Sequence, residues 1–290
     1  MIALALALTA VLPGFGTYTT KGGATAHWDT ATFCYEMSDA LPADVDLDRA
    51  EGLLSTAVRT WTTLPCAPKS LEYRGRTLKT HVDPDRGSGN TVVWVTDPAN
   101  WIHSSTYYAL TTLQAQPDDG VIVDADLEVN WGGHVFSMQD PCPTGAVDLW
   151  NVLTHEAGHL MGLNHSDVPQ ATLFHESGSC DTHMRDLDQD DIDGYCWLAA
   201  TYPPTEAVAP CRAEADGADV EAVDVPGADG AAPDADESGA DAEPGTVVVS
   251  GGGGCAAGPG AYAPGWAMGL LLVALAGLRP FLRHRQGVGG

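Results

Sequence analysis

The chain has 290 residues, enough for one catalytic domain of ordinary size with appended segments. Its formal net charge of -26 argues against a nucleic-acid-binding protein, which needs a basic face. Much of the acid lies between Glu206 and Glu243, in a stretch made almost entirely of Ala, Asp, Glu, Gly, Pro and Val, so the rest of the chain is less acidic than the total suggests.

Residues 1–16 are predicted to be a signal peptide. An apolar run from Ile2 to Leu12 ends at the helix-breaking pair Pro13-Gly14, and polar residues follow. An ordinary buried helix is the alternative, but an isolated apolar run before a polar stretch favours export. We therefore expect a protein that is secreted or associated with the cell surface or outer membrane.

The pattern of a mixed α/β domain follows, over residues 17–204. Apolar residues at helical spacing, with acids early in the segment, predict an amphipathic helix over about 46–62. Strands are predicted around Tyr35 and at residues 71–73, 91–95, 107–112 and 120–129. A metal-binding helix, a loop over 166–185 and a last helix over about 187–199 complete an α+β fold, with a mixed sheet of about five strands and three main helices.

The segment from His155 to His165 has the spacing of a zinc site. Residues four apart share a face of a helix, so His155 and His159 can direct two nitrogens to one metal ion. Glu156 stands beside the first ligand, where its carboxylate can reach a water on the metal and act as general base. Gly162 tolerates positive φ and can turn the chain so that His165 becomes the third ligand. Three protein ligands and one open position are typical of a catalytic site.

Chance recurrence is the alternative for a motif as short as H-E-x-x-H. The extension G-x-x-H makes chance a weak explanation, because two more residues must fall at fixed offsets. The preceding residues also fit a helix, since Asp148 can cap it and apolar residues recur at inward-facing positions. Because the ligand histidines must be neutral, we expect metal binding to weaken in acid.

The seven cysteines predict disulfides. They include no C-x-x-C pair, which argues against a zinc knuckle or a thioredoxin-like site. Six of them lie in or just after the predicted domain, a pattern that indicates an oxidising compartment. The pairing is open; Cys34 with Cys66 is the first guess, because both flank the first helix.

Two appended segments follow the domain. Residues 205–254 are predicted to be a disordered acidic linker, since they hold too little apolar surface to fold. Residues 255–290 hold Cys255, an apolar stretch from Trp266 to Leu278 and a closing set of arginines. The apolar stretch is shorter than the roughly 20 residues that a membrane span needs. A buried core helix is the alternative, but the cationic end favours a membrane-associated anchor or sorting tail.

The motif from His155 to His165 resembles that of the metzincin metallopeptidases. The serine that follows it directly, Ser166, makes the motif similar to that of the matrixin branch of this family. The last helix also resembles the matrixin pattern Leu-x-x-Asp-Asp-Ile-x-Gly, matched by Leu187–Gly194. Upstream, Gly120–Asp126 and Trp61 are similar to secreted bacterial matrixin-like peptidases. The resemblance covers about residues 22–204. It implies a zincin-like catalytic domain that is monomeric, binds a catalytic Zn²⁺ and acts on protein or peptide substrates.

The turn beneath the zinc departs from the matrixin pattern Ala-Leu-Met-Tyr-Pro. The equivalent stretch runs from Ala171 to His175, so the resemblance assigns Leu173 to the methionine position. Leucine has a similar volume, and such a swap usually costs little in packing. The same resemblance assigns Phe174 to the pocket for a substrate side chain.

Other polar residues carry further predictions. Asp124 and Asp126 alternate on a predicted strand and offer the oxygen ligands that structural Ca²⁺ prefers, with a solvated strand face as the alternative. Asp190 and Asp191 are expected to buttress the active-site turn or to cap the last helix. The tail resembles the C-terminal sorting signal of myxobacterial surface proteins, in which Cys255 would be the processing or lipidation point. The remaining histidines, His175 among them, have no partner spacing and are expected on the surface or in loops.

Together these features predict an exported zinc-dependent endopeptidase, held near the cell surface by a tail that associates with the membrane. The alternative is a catalytically weak or inactive surface binding protein on a metzincin scaffold, for which Leu173 is the support. A purely structural metal protein is a third possibility, and it fares worst because the motif supplies no fourth ligand.

Overall fold

The computed structural model describes residues 14–67, 69–82 and 89–205, together with the backbone of Val247–Val249 and Ala256–Ala257. Most of the predicted signal peptide and linker, and the tail with Cys255, lie outside the described residues. Those assignments therefore stay predictions. Within the described ranges, no helix is long and apolar enough to cross a membrane.

The elements follow the order that the sequence predicts, with several very short strands in addition. Two single-turn 3-10 helices lie at Pro98–Asn100 and His183–Arg185. The strands and helices are, in chain order, β1 (Gly16–Thr17), β2 (Thr32–Ser38), α1 (Leu47–Thr62), β3 (Ser70–Thr77), β4 (Asn90–Trp94), β5 (Ala109–Ala115), β6 (Ile122–Val129), β7 (Phe136–Ser137), β8 (Val147–Asp148), α2 (Leu149–Leu160), β9 (Leu163–Asn164), β10 (Glu176–Ser177), α3 (Gln189–Thr201), β11 (Val247–Val249) and β12 (Ala256–Ala257).

Five strands form the main sheet, in the order β5-β6-β4-β2-β3. Strands β3, β2, β4 and β6 run parallel, and β5 runs antiparallel to β6. The backbone of β11 pairs antiparallel with β5, on the side of β5 that faces away from β6. The mixed five-stranded sheet and the three helices confirm the predicted α+β fold.

Helix α1 sets the position of α2. Its N-cap is Asp46, whose side chain accepts a hydrogen bond from the Arg49 N–H at 3.0 Å, which satisfies a donor that the helix leaves unpaired. The buried face of α1 ends at Trp61, whose indole N–H donates to the Thr154 carbonyl of α2 at 2.9 Å. A large buried side chain and a buried hydrogen bond therefore fix how α2 is rotated against the core.

Disulfides are present, but the guessed pair is wrong. Cys66 is bonded to Cys196, with a Cα–Cα distance of 5.4 Å, and this bond joins the end of α1 to α3. Cys142 is bonded to Cys180, and Cys34 is disulfide-bonded as well. Cys66 and Cys196 are 130 positions apart in the sequence and meet because α1 lies against α3. The prediction failed because disulfide pairing depends on this packing and not on proximity along the chain.

The described fold begins at Gly14, within the segment assigned to the signal peptide. The Gly14 N–H donates to Asp190 Oδ1 at 2.8 Å, and Gly16 in β1 pairs with Asn164 in β9. Ser166 Oγ donates to the other carboxylate oxygen of Asp190 at 2.6 Å. Asp190 thus ties the N-terminal segment to the chain that follows His165, a structural role of the kind that the sequence predicts.

Candidate metal centre

Helix α2 carries the first half of the histidine motif and begins where the sequence predicts. The Asp148 side chain accepts a hydrogen bond from the Asn151 N–H at 2.8 Å and caps the helix. Arg185 holds the same carboxylate through its Nε at 3.0 Å, and its guanidinium lies 4.8 Å from the centre of the Trp150 ring. Arg185, which lies outside the helix, therefore holds the capping carboxylate of Asp148 in place.

Three histidines converge at the end of α2. One ligand atom from each of His155, His159 and His165 lies within 4.8 Å of the others. The Nε2 atoms of His155 and His159 are 3.0 Å apart. Gly162 has φ +99°, the left-handed conformation that the sequence predicts, and the chain turns there to bring in His165. Among the described residues, this is the group of His, Cys, Asp and Glu side chains that is arranged to hold a metal ion.

Backbone carbonyls orient two of the imidazoles. His155 Nδ1 lies 2.7 Å from the Thr172 carbonyl oxygen, and His159 Nδ1 lies 2.8 Å from that of Leu163. Because a carbonyl oxygen only accepts, each Nδ1 carries the hydrogen and each Nε2 keeps its lone pair. Hydrogen bonds of this kind orient metal-binding histidines in proteins.

The third imidazole is held neutral. Burial, together with the neighbouring His159 and His175, lowers the pKa of His165 to about 3. Neutral nitrogen donors suit a borderline-soft cation such as Zn²⁺, so the residues present fit the metal that the sequence predicts.

Glu156 is fully buried and is held by a residue of β5. Its Oε2 atom accepts a hydrogen bond from the Thr111 hydroxyl of β5 at 2.7 Å. The Tyr18 hydroxyl lies 3.2 Å from His159 Nδ1, and burial and the charge of Glu156 raise the pKa of Tyr18. Neither Thr111 nor Tyr18 was predicted. Both come from distant parts of the chain, and no local spacing marks them.

Leu173 packs against helix α2, which carries His155 and His159. A Cβ atom placed on Gly158, between the two helical histidines, would lie 2.5 Å from the Trp61 ring and 2.8 Å from Leu173 Cδ2. Leu173 itself is 1% exposed. The structure therefore places Leu173 in close packing with the helix, and position 158 requires glycine; the assignment of Leu173 to the methionine position of the turn stays a prediction.

Asp191 fixes the turn that holds Leu173. Its carboxylate accepts backbone hydrogen bonds from Thr172 at 2.7 Å, Leu173 at 3.0 Å and Asp188 at 2.9 Å. Burial raises the pKa of Asp191, while the three backbone donors act in the opposite direction. Thr172 also supplies the carbonyl that orients His155. Asp191 therefore supports both the turn that carries Leu173 and the predicted metal ligand His155.

We expect Leu173→Met to change the free energy of unfolding by less than about 1.5 kcal/mol, because the side chains have similar volumes. Peptidase activity should stay within a few-fold of the parent. Leu173→Ala is the matched control, and it should lose about 2–5 kcal/mol to the cavity it leaves. Urea unfolding and peptide cleavage measure both effects. A large gain in activity for Leu173→Met would show that leucine impairs the site.

The two residues that follow Leu173, Phe174 and His175, lie beside the histidine cluster. Phe174 is partly buried, and its ring centre is 4.5 Å from that of His175. Its role in a substrate pocket stays a prediction. His175 is half-exposed, as expected, but its ring centre lies 6.0 Å from that of His165. This proximity was not predicted, because no fixed spacing links His175 to the motif.

Asp124 and Asp126 do not lie on a solvated face, so that alternative is wrong. Their side of β6 is buried, and they are 1% and 5% exposed. Asp126 accepts a hydrogen bond from the Thr91 N–H at 2.8 Å, and burial together with Asp124 raises the pKa of Asp126. They are not part of the histidine cluster that could hold a metal ion among the described residues. Calcium binding by Asp124 and Asp126 stays a prediction.

Comparison with known proteins gives a consistent result. A model of the matrixin family matches residues 32–199. Metalloendoproteinase 2-MMP of Arabidopsis thaliana is 38% identical over 80 residues, which are 27% of this chain and 20% of the relative. Metalloendoproteinase 5-MMP of the same plant is 42% identical over 60 residues, 21% of this chain and 16% of the relative. The aligned part thus spans a fifth or less of each relative.

Proposed function

Because the chain belongs to the matrixin family, we propose that it is a zinc metalloendopeptidase acting on protein or peptide substrates. The observation that carries the proposal is the convergence of three histidines within 4.8 Å beside a buried glutamate. Family membership supports the reaction class, and the donor set supports the metal.

His155, His159 and His165 would hold the zinc ion through their ring nitrogens. When bound, zinc supplies Lewis acidity, which polarises the scissile carbonyl and makes water more acidic. Glu156 takes the proton from the attacking water and passes it to the leaving amine. Thr111 holds the Glu156 carboxylate in one orientation, and Tyr18, which keeps its proton, lies against His159.

The cellular setting is a further part of the proposal. Export, attachment through residues 255–290 and processing or lipidation at Cys255 are supported by the sequence patterns alone. The acidic linker would give the domain reach from a surface. A monomeric catalytic domain and a structural Ca²⁺ ion at Asp124 and Asp126 are proposed on the same basis.

Casein cleavage by the full chain tests the function. We expect cleavage that stops with a chelator and returns with added zinc, because the site needs the metal. His159→Ala should abolish it, whereas His81→Ala, at an exposed histidine outside the cluster, should not. If the folded, zinc-loaded chain shows no chelator-sensitive cleavage, the binding-protein alternative is favoured.

A further inference from the structure

A short flanking segment, residues 175–180, lies beside the histidine cluster. It begins at His175, whose ring centre is 6.0 Å from that of His165. It ends at Cys180, whose disulfide bond joins it to Cys142 in the chain that leads through β8 into α2. The flanking segment therefore connects the edge of the metal centre to the approach to the metal-binding helix.

Hydrogen bonds at the end of the flanking segment reach the same approach to α2. The Cys180 N–H and the Ser179 hydroxyl both donate to the Ala146 carbonyl, each at 2.9 Å. The Gly145 N–H donates to Ser179 Oγ at 3.1 Å. Gly145 and Ser179 are exposed, so water competes for these hydrogen bonds. The covalent bond therefore keeps the two pieces of chain within hydrogen-bonding distance.

The disulfide of the flanking segment also closes a small ring around the metal centre. Its cysteines are 38 positions apart, and the chain between them carries the three histidines, Glu156 and the turn with Leu173. The bond between Cys66 and Cys196 spans 130 positions and joins the end of α1 to α3, which both lie outside this ring. The two bonds therefore constrain different parts of the molecule, and the smaller ring is the one that acts on the flanking segment.

The backbone at Cys180 is strained. Its φ is +52°, in the left-handed region, and no other non-glycine residue that the structure describes has a positive φ. A residue with a Cβ keeps this conformation only where its surroundings hold it. Cys196, by contrast, lies within helix α3. Because strained or exposed disulfides are the more readily reduced ones, we expect the Cys142–Cys180 bond to react with a dithiol before the Cys66–Cys196 bond does.

We propose that the Cys142–Cys180 disulfide is a redox-sensitive clamp that positions the flanking segment for substrate binding. One thiolate of a dithiol attacks Cys180 Sγ and releases the Cys142 thiolate, and the second thiolate then closes a cyclic disulfide and releases Cys180. The two electrons come from the dithiol, and the two cysteines take up the protons that its thiol groups lose. The clamp is then open.

Reduction should weaken substrate binding and leave the chemical step in place. Cys180 can leave its left-handed conformation, and the segment that begins at His175 is no longer fixed at its far end. Glu156 keeps its hydrogen bond from Thr111, and the helical histidines keep the backbone carbonyls that orient them. The effect on substrate rests on the proposed peptidase function, whereas the clamp itself does not.

Alkylation and mass spectrometry test the order of reduction without requiring activity. The full chain carrying Glu156→Gln, which prevents self-cleavage, is titrated with dithiothreitol, and the free thiols are alkylated in the folded protein. We expect Cys142 and Cys180 to be labelled at a lower dithiothreitol concentration than Cys66 and Cys196. Labelling of Cys66 and Cys196 first, or of all four together, would overturn the redox sensitivity of the clamp.

Hydrogen exchange followed by NMR tests the clamp itself. We expect the Gly145 amide, whose acceptor is Ser179 Oγ, to exchange about tenfold faster or more once the disulfide is removed, and at the parent's rate in the control. The Leu173 amide, which donates to the buried Asp191, is the internal reference and should change little. Equal exchange of the Gly145 amide in the parent and the test variant would overturn the proposal. All chains carry Glu156→Gln; the test variant adds Cys142→Ser and Cys180→Ser, and the matched control adds Cys66→Ser and Cys196→Ser.

Peptide cleavage with Glu156 intact tests the effect on substrate. Without the Cys142–Cys180 bond, we expect KM for a fluorogenic peptide to rise about threefold to tenfold, the cost of ordering one or two side chains on binding, and kcat to stay within about twofold of the parent. The control without the Cys66–Cys196 bond should keep the parent's KM. An unchanged KM in the active test variant would overturn the effect on substrate. If no chain, the parent included, shows chelator-sensitive cleavage, the peptidase proposal fails, and hydrogen exchange alone decides the clamp.

Discussion

Glu156→Gln should lower kcat/KM for peptide cleavage by about 10²- to 10⁴-fold, the range that loss of a general base produces. Glutamine keeps the size of the side chain and can still accept a hydrogen bond from Thr111, so the buried site should stay intact. It cannot take a proton from the attacking water. Zinc content should therefore remain that of the parent while the chemical step is lost.

The matched control for this substitution is Glu72→Gln, at an exposed position on β3. It changes the same chemical group away from the histidines and should leave kcat/KM unchanged. Initial rates with a fluorogenic peptide, together with metal analysis of each sample, make the comparison. Full activity in Glu156→Gln would show that another residue acts as the base.

Asp191→Ala should destabilise the domain by about 3 kcal/mol or more, since each buried donor left unsatisfied costs roughly 1–3 kcal/mol. The carboxylate accepts hydrogen bonds from three backbone N–H groups, and alanine replaces none of them. The turn carrying Thr172 and Leu173 would lose its support, so zinc affinity should fall as well.

Asp193→Ala is the control, because Asp193 lies in the same helix but is exposed and bonds only to the Gln189 side chain among the contacts observed. Urea unfolding with the disulfides intact gives the free energies, and competition with a zinc indicator gives the affinities. Equal stability of the two variants would mean that Asp191 does not support the turn.

Local spacing predicted those parts of the site that lie close together in sequence. The three histidines fall within eleven residues, so helix geometry predicted His155 and His159 on one face, and the tolerance of glycine for positive φ predicted the turn at Gly162. Asp148 was recognisable as a cap for the same reason. Periodicity likewise identified α1 and the strands of the sheet.

The contacts that depend on tertiary packing were not predictable in this way. Thr111 of β5 reaches Glu156 from 45 residues away in the sequence, and Tyr18 reaches His159 from 141 residues away. The bond between Cys66 and Cys196 depends on how α1 meets α3. Alternation placed Asp124 and Asp126 on one face of a strand, but it could not show that this face is buried.

Zinc X-ray absorption spectroscopy of the zinc-loaded full chain tests the central claim most directly, because it identifies the ligands of the metal. The three histidines with an open position predict three imidazole nitrogens and one non-histidine light atom at about 2.0–2.1 Å. A sulfur ligand at about 2.3 Å, or a fourth imidazole such as that of His175, would contradict an open catalytic centre at His155, His159 and His165.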